Sequence, residues 1–217
     1  MMNLILALAP IGIILVVSEI LWRKKIIKGE RARKFIHILS GIWIAFWPLY
    51  IPFDGIFILG CVALALLIYS RVTSLFHAIY AVKRKTYGEI LYAVAIIVCA
   101  YFAKADWIFT VSILLVALAD GGAAIAGRYW GLSNQYYVFG TKTLTKSWVG
   151  TCVFIILTYF SLAVGWVLGG SEYMANNIVL VFIILPILAT VTENTMPYGL
   201  DNFATPLVAT LLLSTLI

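Results

Sequence analysis

Apolar runs of membrane-spanning length alternate with short polar breaks along this chain. Eight such stretches fall at roughly 3–22, 35–51, 54–70, 89–103, 106–126, 147–168, 177–192 and 202–217. A helix crosses a bilayer with about 20 apolar residues. The pattern predicts an all-α fold, a polytopic transmembrane helix bundle of about eight spans. The fourth, seventh and eighth stretches are short, so six or seven spans also fit. Too little chain lies between the stretches for a separate soluble domain. Residues 1–217 are therefore read as a single integral-membrane domain, with its site built from span ends and cytoplasmic loops.

Composition agrees with this picture. Hydrophobic residues make up 64% of the chain and charged residues 11%, with a mean hydropathy of +1.06. A soluble domain carries about 25% charged residues. The N-terminal run is followed by Arg23, Lys24 and Lys25 and lacks a small-residue cleavage site. It reads as a retained first span, not a signal peptide. Cys61, Cys99 and Cys152 sit inside apolar runs without metal-ligand spacing and read as small packing residues.

Charge changes the picture by giving it a direction. Seven basic residues separate the first two stretches: Arg23, Lys24, Lys25, Lys28, Arg31, Arg33 and Lys34. Arg71, Lys83, Arg84 and Lys85 follow the third, and Arg128, Lys142 and Lys146 link the fifth and sixth. Only Lys104 falls on the opposite side. Such a bias marks the cytoplasmic face and places both termini outside. The net charge of +6 thus reflects membrane topology and implies no nucleic-acid partner. In a prokaryote the membrane is the plasma membrane. Leu75, Phe76, Ile79 and Tyr80, at helical spacing before Lys83, fit an interfacial amphipathic helix and a plain connector equally.

The polar residues gather on the same side. Asp120 lies within an apolar stretch, where a charge costs roughly 2.5–3.5 kcal/mol. On a helix it shares a face with Ala123, Ala124, Gly127 and Gly131, small residues that admit a close neighbour. An aspartate there suits a divalent cation; magnesium takes one or two carboxylates, with water and phosphate completing its shell. Arg128 follows, and then Gly140, Lys142, Thr143, Lys146, Ser147, Gly150 and Thr151. Glycines, lysines and a helix N-terminus together suit phosphate, although the Walker spacing is absent.

Two further clusters belong to this face. Arg33, His37 and Gly41 are four residues apart and line one helical stripe, with Lys34 adjacent. The arginine fork matches phosphate oxygens, and membrane anchoring alone explains the same basic residues equally well. Glu193 and Asp201 flank a Pro-Tyr-Gly turn, with Asn202 next. These acids offer a second metal carboxylate or a base for a hydroxyl, while a helix cap explains one of Asp201 and Asn202. Glu19 and Arg23 are spaced for a local ion pair.

The blocks SEILWRKK…ERARKFIHILSG, RKTYGEILY, ALADGGAAIAGRYWG, TKTLTKSWVGT and ENTMPYGLDNFATPL occur in this order. The chain in this respect resembles the membrane-bound CTP-dependent polyprenol kinases, which include phytol kinase, dolichol kinase and the CTP-dependent diacylglycerol kinase. These are related more distantly to phosphatidate cytidylyltransferase. The resemblance runs over about the whole chain. It implies a kinase that moves the γ-phosphoryl group of CTP, or UTP, to the hydroxyl of a membrane isoprenoid alcohol. By motif, it assigns Asp120, Gly127, Arg128, Gly131, Lys146, Ser147, Gly150, Asp201 and Asn202 to the nucleotide and metal site, and Arg33, Lys34 and His37 to an N-terminal block. In the reading that follows, Asp120 and Asp201 hold Mg2+, while Arg128, Lys142 and Lys146 hold the phosphates. Glu193 or Asp201 serves the hydroxyl, with His37 in reserve. Many relatives carry a glutamate where this chain has Val149, so a role for that glutamate does not transfer. A cytidylyltransferase needs nearly the same residues, and a transporter with a basic vestibule is the alternative from another class.

Overall fold

The structure is a computed structural model describing residues 2–73, 87–138 and 145–217. Lys142, Gly140 and Thr143 of the basic loop lie outside the described residues. So do Leu75, Phe76, Ile79, Tyr80, Lys83, Arg84 and Lys85 of the connector.

The all-α expectation holds. The helices are α1 (Met2–Arg23), α2 (Glu30–Ala45), α3 (Phe53–Thr73), α4 (Gly88–Phe102), α5 (Asp106–Trp130), α6 (Trp148–Asn176), α7 (Leu180–Thr195) and α8 (Asp201–Ser214). Four of them, α1, α3, α5 and α6, are long and apolar enough to cross a membrane. The reading of about eight spans is carried to four by this measure, because the remaining helices are shorter. The chain is a membrane protein.

Local chemistry sets several boundaries. Glu30 stands in the first turn of α2, where a negative charge favours the helix dipole. Arg23 and Arg71 close α1 and α3 at the opposite pole. Arg23 also pairs with Glu19 at 3.0 Å, as its spacing foretells. Arg71 contacts Glu89 at 2.8 Å and ties the end of α3 to the start of α4. Helix α6 is interrupted at Leu168 and Gly169, and Gly169 takes a φ of 108° that a side chain would resist.

Helix α5 is the axis of the bundle. Inside the protein, 78% of its apolar window is buried, against 17%, 22% and 28% for α1, α3 and α6. Ile108, Phe109, Ile113, Leu114 and Leu115 are fully enclosed, packed with Phe154, Leu162, Leu185 and Leu213 of the surrounding helices. A polar contact pins the core: the Thr210 hydroxyl lies 2.8 Å from Ser112 Oγ and 3.1 Å from Cys99 Sγ. A π-helical turn widens α5 at Leu115–Asp120; such bulges recur at functional sites.

The loop after α5 corrects the purely helical expectation. Gln135–Tyr137 (β1) and Thr145–Ser147 (β2) pair as a small antiparallel hairpin. Successive strand residues face opposite ways. Lys146 therefore turns toward α7, while Ser147 turns toward α5. The Ser147 hydroxyl accepts from the Gly150 amide at 3.1 Å and caps α6.

Close packing of α5 and α6 explains three glycines. A Cβ on Gly127 would lie 2.7 Å from Ser147 Oγ, and one on Gly150 would lie 2.9 Å from the Ala123 carbonyl oxygen. A Cβ on Gly131 would likewise collide with Ser147. Gly150→Ala meets backbone that cannot turn aside. It is expected to destabilise the protein by about 1–3 kcal/mol, read as a lower melting temperature in detergent. Gly12→Ala, inside α1 and with nothing within 4 Å of the added carbon, does not lower that temperature, since alanine favours a helix interior over glycine.

Candidate active site

A cavity of about 440 Å³ opens where several helix ends meet the second half of α5. The first turns of α2, α6 and α8 line it, together with the last turn of α7 and strand β2. Helix N-termini present backbone N–H groups and the positive end of the helix dipole. Three of them at one cavity favour an anionic ligand.

Asp120, Glu193 and Asp201 stand on its wall. One carboxylate oxygen from each lies within 4.8 Å of the others. The three come from α5, α7 and the head of α8. Tyr198 and Gly199, both at positive φ, turn the chain sharply and bring Glu193 and Asp201 together. The π-helical turn sets Asp120 against them.

Two ammonium groups answer the three carboxylates. Lys34 Nζ donates to Asp120 Oδ2 at 2.6 Å, and both side chains are nearly enclosed. Lys146 donates to the Glu193 carboxylate and main-chain carbonyl, and lies 3.5 Å from Asp201 Oδ2. Burial alone would lower the Lys146 pKa; the facing charges of Glu193 and Asp201 outweigh it and hold the group above its ordinary value. Burial first, and then the Asp120 charge, push Asp201 above the usual carboxylate range. Burial likewise pushes Glu193 up to about 7, so the crowded acids are poorly served by the two ammoniums alone, and three carboxylate oxygens this close form a donor set that a divalent cation fits.

The remaining sequence-selected residues divide into two groups. Arg33, Arg128, Gly127, Gly150, Ser147 and Asn202 also line the cavity. Arg33 is held by Glu30, which lines the cavity with it. Arg128 is exposed and makes no ion pair among the described residues. Asn202 donates to the Gly88 carbonyl at 2.9 Å, anchoring α8 to α4. His37 and Gly131 do not line the cavity. His37 sits behind Asp120, donating from Nε2 to the Val116 carbonyl at 2.8 Å, with Asp120 Oδ2 3.8 Å away. Its ring lies 4.6 Å from that of Tyr92. This placement corrects the reading of His37 as a reserve base: it supports the carboxylate from within. Gly131 and Gly127 serve the approach of α6.

Sequence reasoning passed over Glu30, Tyr136, Thr151 as a side-chain partner, and Asn194. The Tyr136 hydroxyl contacts both Thr151 and Asn194. Asn194 is adjacent to Glu193 in a segment already singled out, and Glu30 precedes Arg33 by one helical turn. Tyr136 carried no signal, because only the hairpin register aims it inward.

A phytol kinase from Synechocystis sp. is 30% identical to this chain over 210 residues, covering 93% of the chain and 86% of that protein. The chain belongs to the polyprenol kinase family. It is a phosphotransferase with an alcohol group as acceptor. No family model matches the chain, and no solved structure does.

Breaking the Lys34–Asp120 pair from one side leaves a buried charge uncompensated. Lys34→Met is expected to cost about 3–5 kcal/mol of stability. The double variant Lys34→Met with Asp120→Asn recovers much of that loss in detergent unfolding, while remaining inactive.

Proposed function

We propose that this polyprenol kinase transfers the γ-phosphoryl group of CTP to the hydroxyl of a membrane isoprenoid alcohol of the phytol type. The observation that carries the reading is the convergence of Asp120, Glu193 and Asp201 within 4.8 Å, at a cavity rimmed by basic groups. Its kinship with a phytol kinase supports the choice of acceptor.

Asp120, Glu193 and Asp201 would hold Mg2+. Bound there, the ion supplies charge neutralisation for the phosphate oxygens. Arg33, Lys34, Arg128 and Lys146 grip the phosphates, and the N-terminal turn of α6 adds its amides. Lys142 belongs to the same basic loop. Asp201 is more open than Glu193, at 17% against 6% side-chain exposure. It orients the alcohol and takes its proton. The alcohol's tail stays in lipid, its hydroxyl reaches headgroup level, and CTP enters from the basic, cytoplasmic face.

Purified protein, magnesium and γ-labelled CTP or UTP, offered phytol, geranylgeraniol, farnesol, dolichol and diacylglycerol, test this directly. Label is expected in the phosphate of an isoprenoid alcohol, and chelating the magnesium abolishes it. Label appearing in pyrophosphate overturns the kinase chemistry. Asp120→Asn, Glu193→Gln and Asp201→Asn are each expected to lower turnover about 100-fold or more, the scale lost with a group that stabilises transition-state charge.

A further inference from the structure

Two cross-strand neighbours in the hairpin hold two consecutive residues of α7. Tyr136 and Lys146 stand opposite one another in register, so their side chains leave the same face. Lys146 takes Glu193, while the Tyr136 phenol donates to Asn194 Oδ1 at 2.5 Å. Thr151 Oγ1 lies 2.6 Å from the phenol oxygen. The Thr151 hydroxyl also faces the Ser147 carbonyl at 3.2 Å and Asn194 Oδ1 at 3.4 Å, so it belongs to the same small network. Strand β1, the first turn of α6 and the last turn of α7 therefore meet at one hydroxyl. Thr151 and Asn194 line the cavity, and Tyr136 stands behind its wall.

We propose that Tyr136 is a positioning residue whose hydroxyl locks the hairpin onto α7 and thereby holds the Lys146 ammonium at the Glu193 and Asp201 carboxylates. Its catalytic consequence rests on the phosphotransfer reading above. A hairpin of two three-residue strands has little stability of its own. Lys146 reaches the carboxylates on a long, flexible stem, and its aim is only as good as the strand that carries it. The ring of Tyr136 already has a second support: it packs on Trp148 with centroids 5.1 Å apart. The hydroxyl is thus free to act as the lock rather than as an anchor for its own ring. Burial raises the phenol pKa above its ordinary value, so it stays a donor at neutral pH.

Tyr136→Phe removes the hydroxyl and keeps the ring. Hydrogen exchange on the full chain in detergent reads the lock without reference to catalysis. Amides of residues 135–137 and 145–147 are expected to exchange roughly tenfold faster, the scale of one net hydrogen bond. The helices of the bundle keep their protection. In the phosphotransfer assay, kcat falls roughly tenfold and the magnesium needed for half-maximal rate rises. The KM for the alcohol does not move. Tyr137→Phe, whose side chain is exposed, changes none of these. Asn194→Leu breaks the same bond from the other side, and combining it with Tyr136→Phe adds little to either alone. Unchanged hairpin exchange in both single variants overturns the lock. Faster exchange with kcat and magnesium demand unchanged overturns the positioning role. Faster exchange in a protein whose wild type forms no lipid phosphate upholds the lock and overturns the kinase reading instead.

Discussion

The charge of Asp120 is the constraint around which the molecule is arranged. It sits on the most deeply buried helix, where an isolated carboxylate is untenable. Lys34 answers it directly, and His37 stands close behind, tied to the Val116 carbonyl. This arrangement requires α2 to lie along α5 from Thr110 to Asp120, and the Thr110 hydroxyl donates to the Ala45 carbonyl at the far end of that contact. The glycines of α5 and α6 then let the capped start of α6 approach from the other side. Neutralising one aspartate and enclosing it are a single packing problem, and its solution brings three helix N-termini to the same place.

The second layer of the site has a different physical origin. Lys146, Tyr136 and Ser147 take their directions from strand alternation. A short hairpin thus separates two tasks between adjacent residues: Lys146 serves the carboxylates, and Ser147 serves the packing of α5 against α6. The centre of the cluster gathers three carboxylates, while the rim is basic. That polarity suits a cation in the centre and phosphate around it.

Much of this was legible in the sequence. A costly aspartate, an acidic turn on a basic face and the loop before the sixth apolar stretch each announced themselves as local departures from pattern. Their convergence at one level followed from counting spans and charges. What escaped was decided by geometry that no single stretch contains. His37 looked available because its stripe includes Arg33, yet the Val116 carbonyl in a widened turn of a distant helix claims its ring nitrogen. Gly131 lies outside the cavity, and Gly127 both lines it and admits the Ser147 side chain. Tyr136 was invisible because a hairpin register defines its direction. Each of the eight apolar stretches corresponds to a helix, and four of these helices are long and apolar enough to cross a membrane, whereas α2, α4, α7 and α8 are shorter.

The turn at Tyr198 and Gly199 has an implication for biogenesis. Glu193 and Asp201 are neighbours through a local reversal of the chain, whereas Asp120 joins them only when α5 docks. The proposed cation site would therefore be complete only when α5 has packed against α7 and α8. Lys34, the direct partner of Asp120, precedes all three acids in the chain. In the proposed mechanism, catalytic competence would double as a report that the helices have assembled.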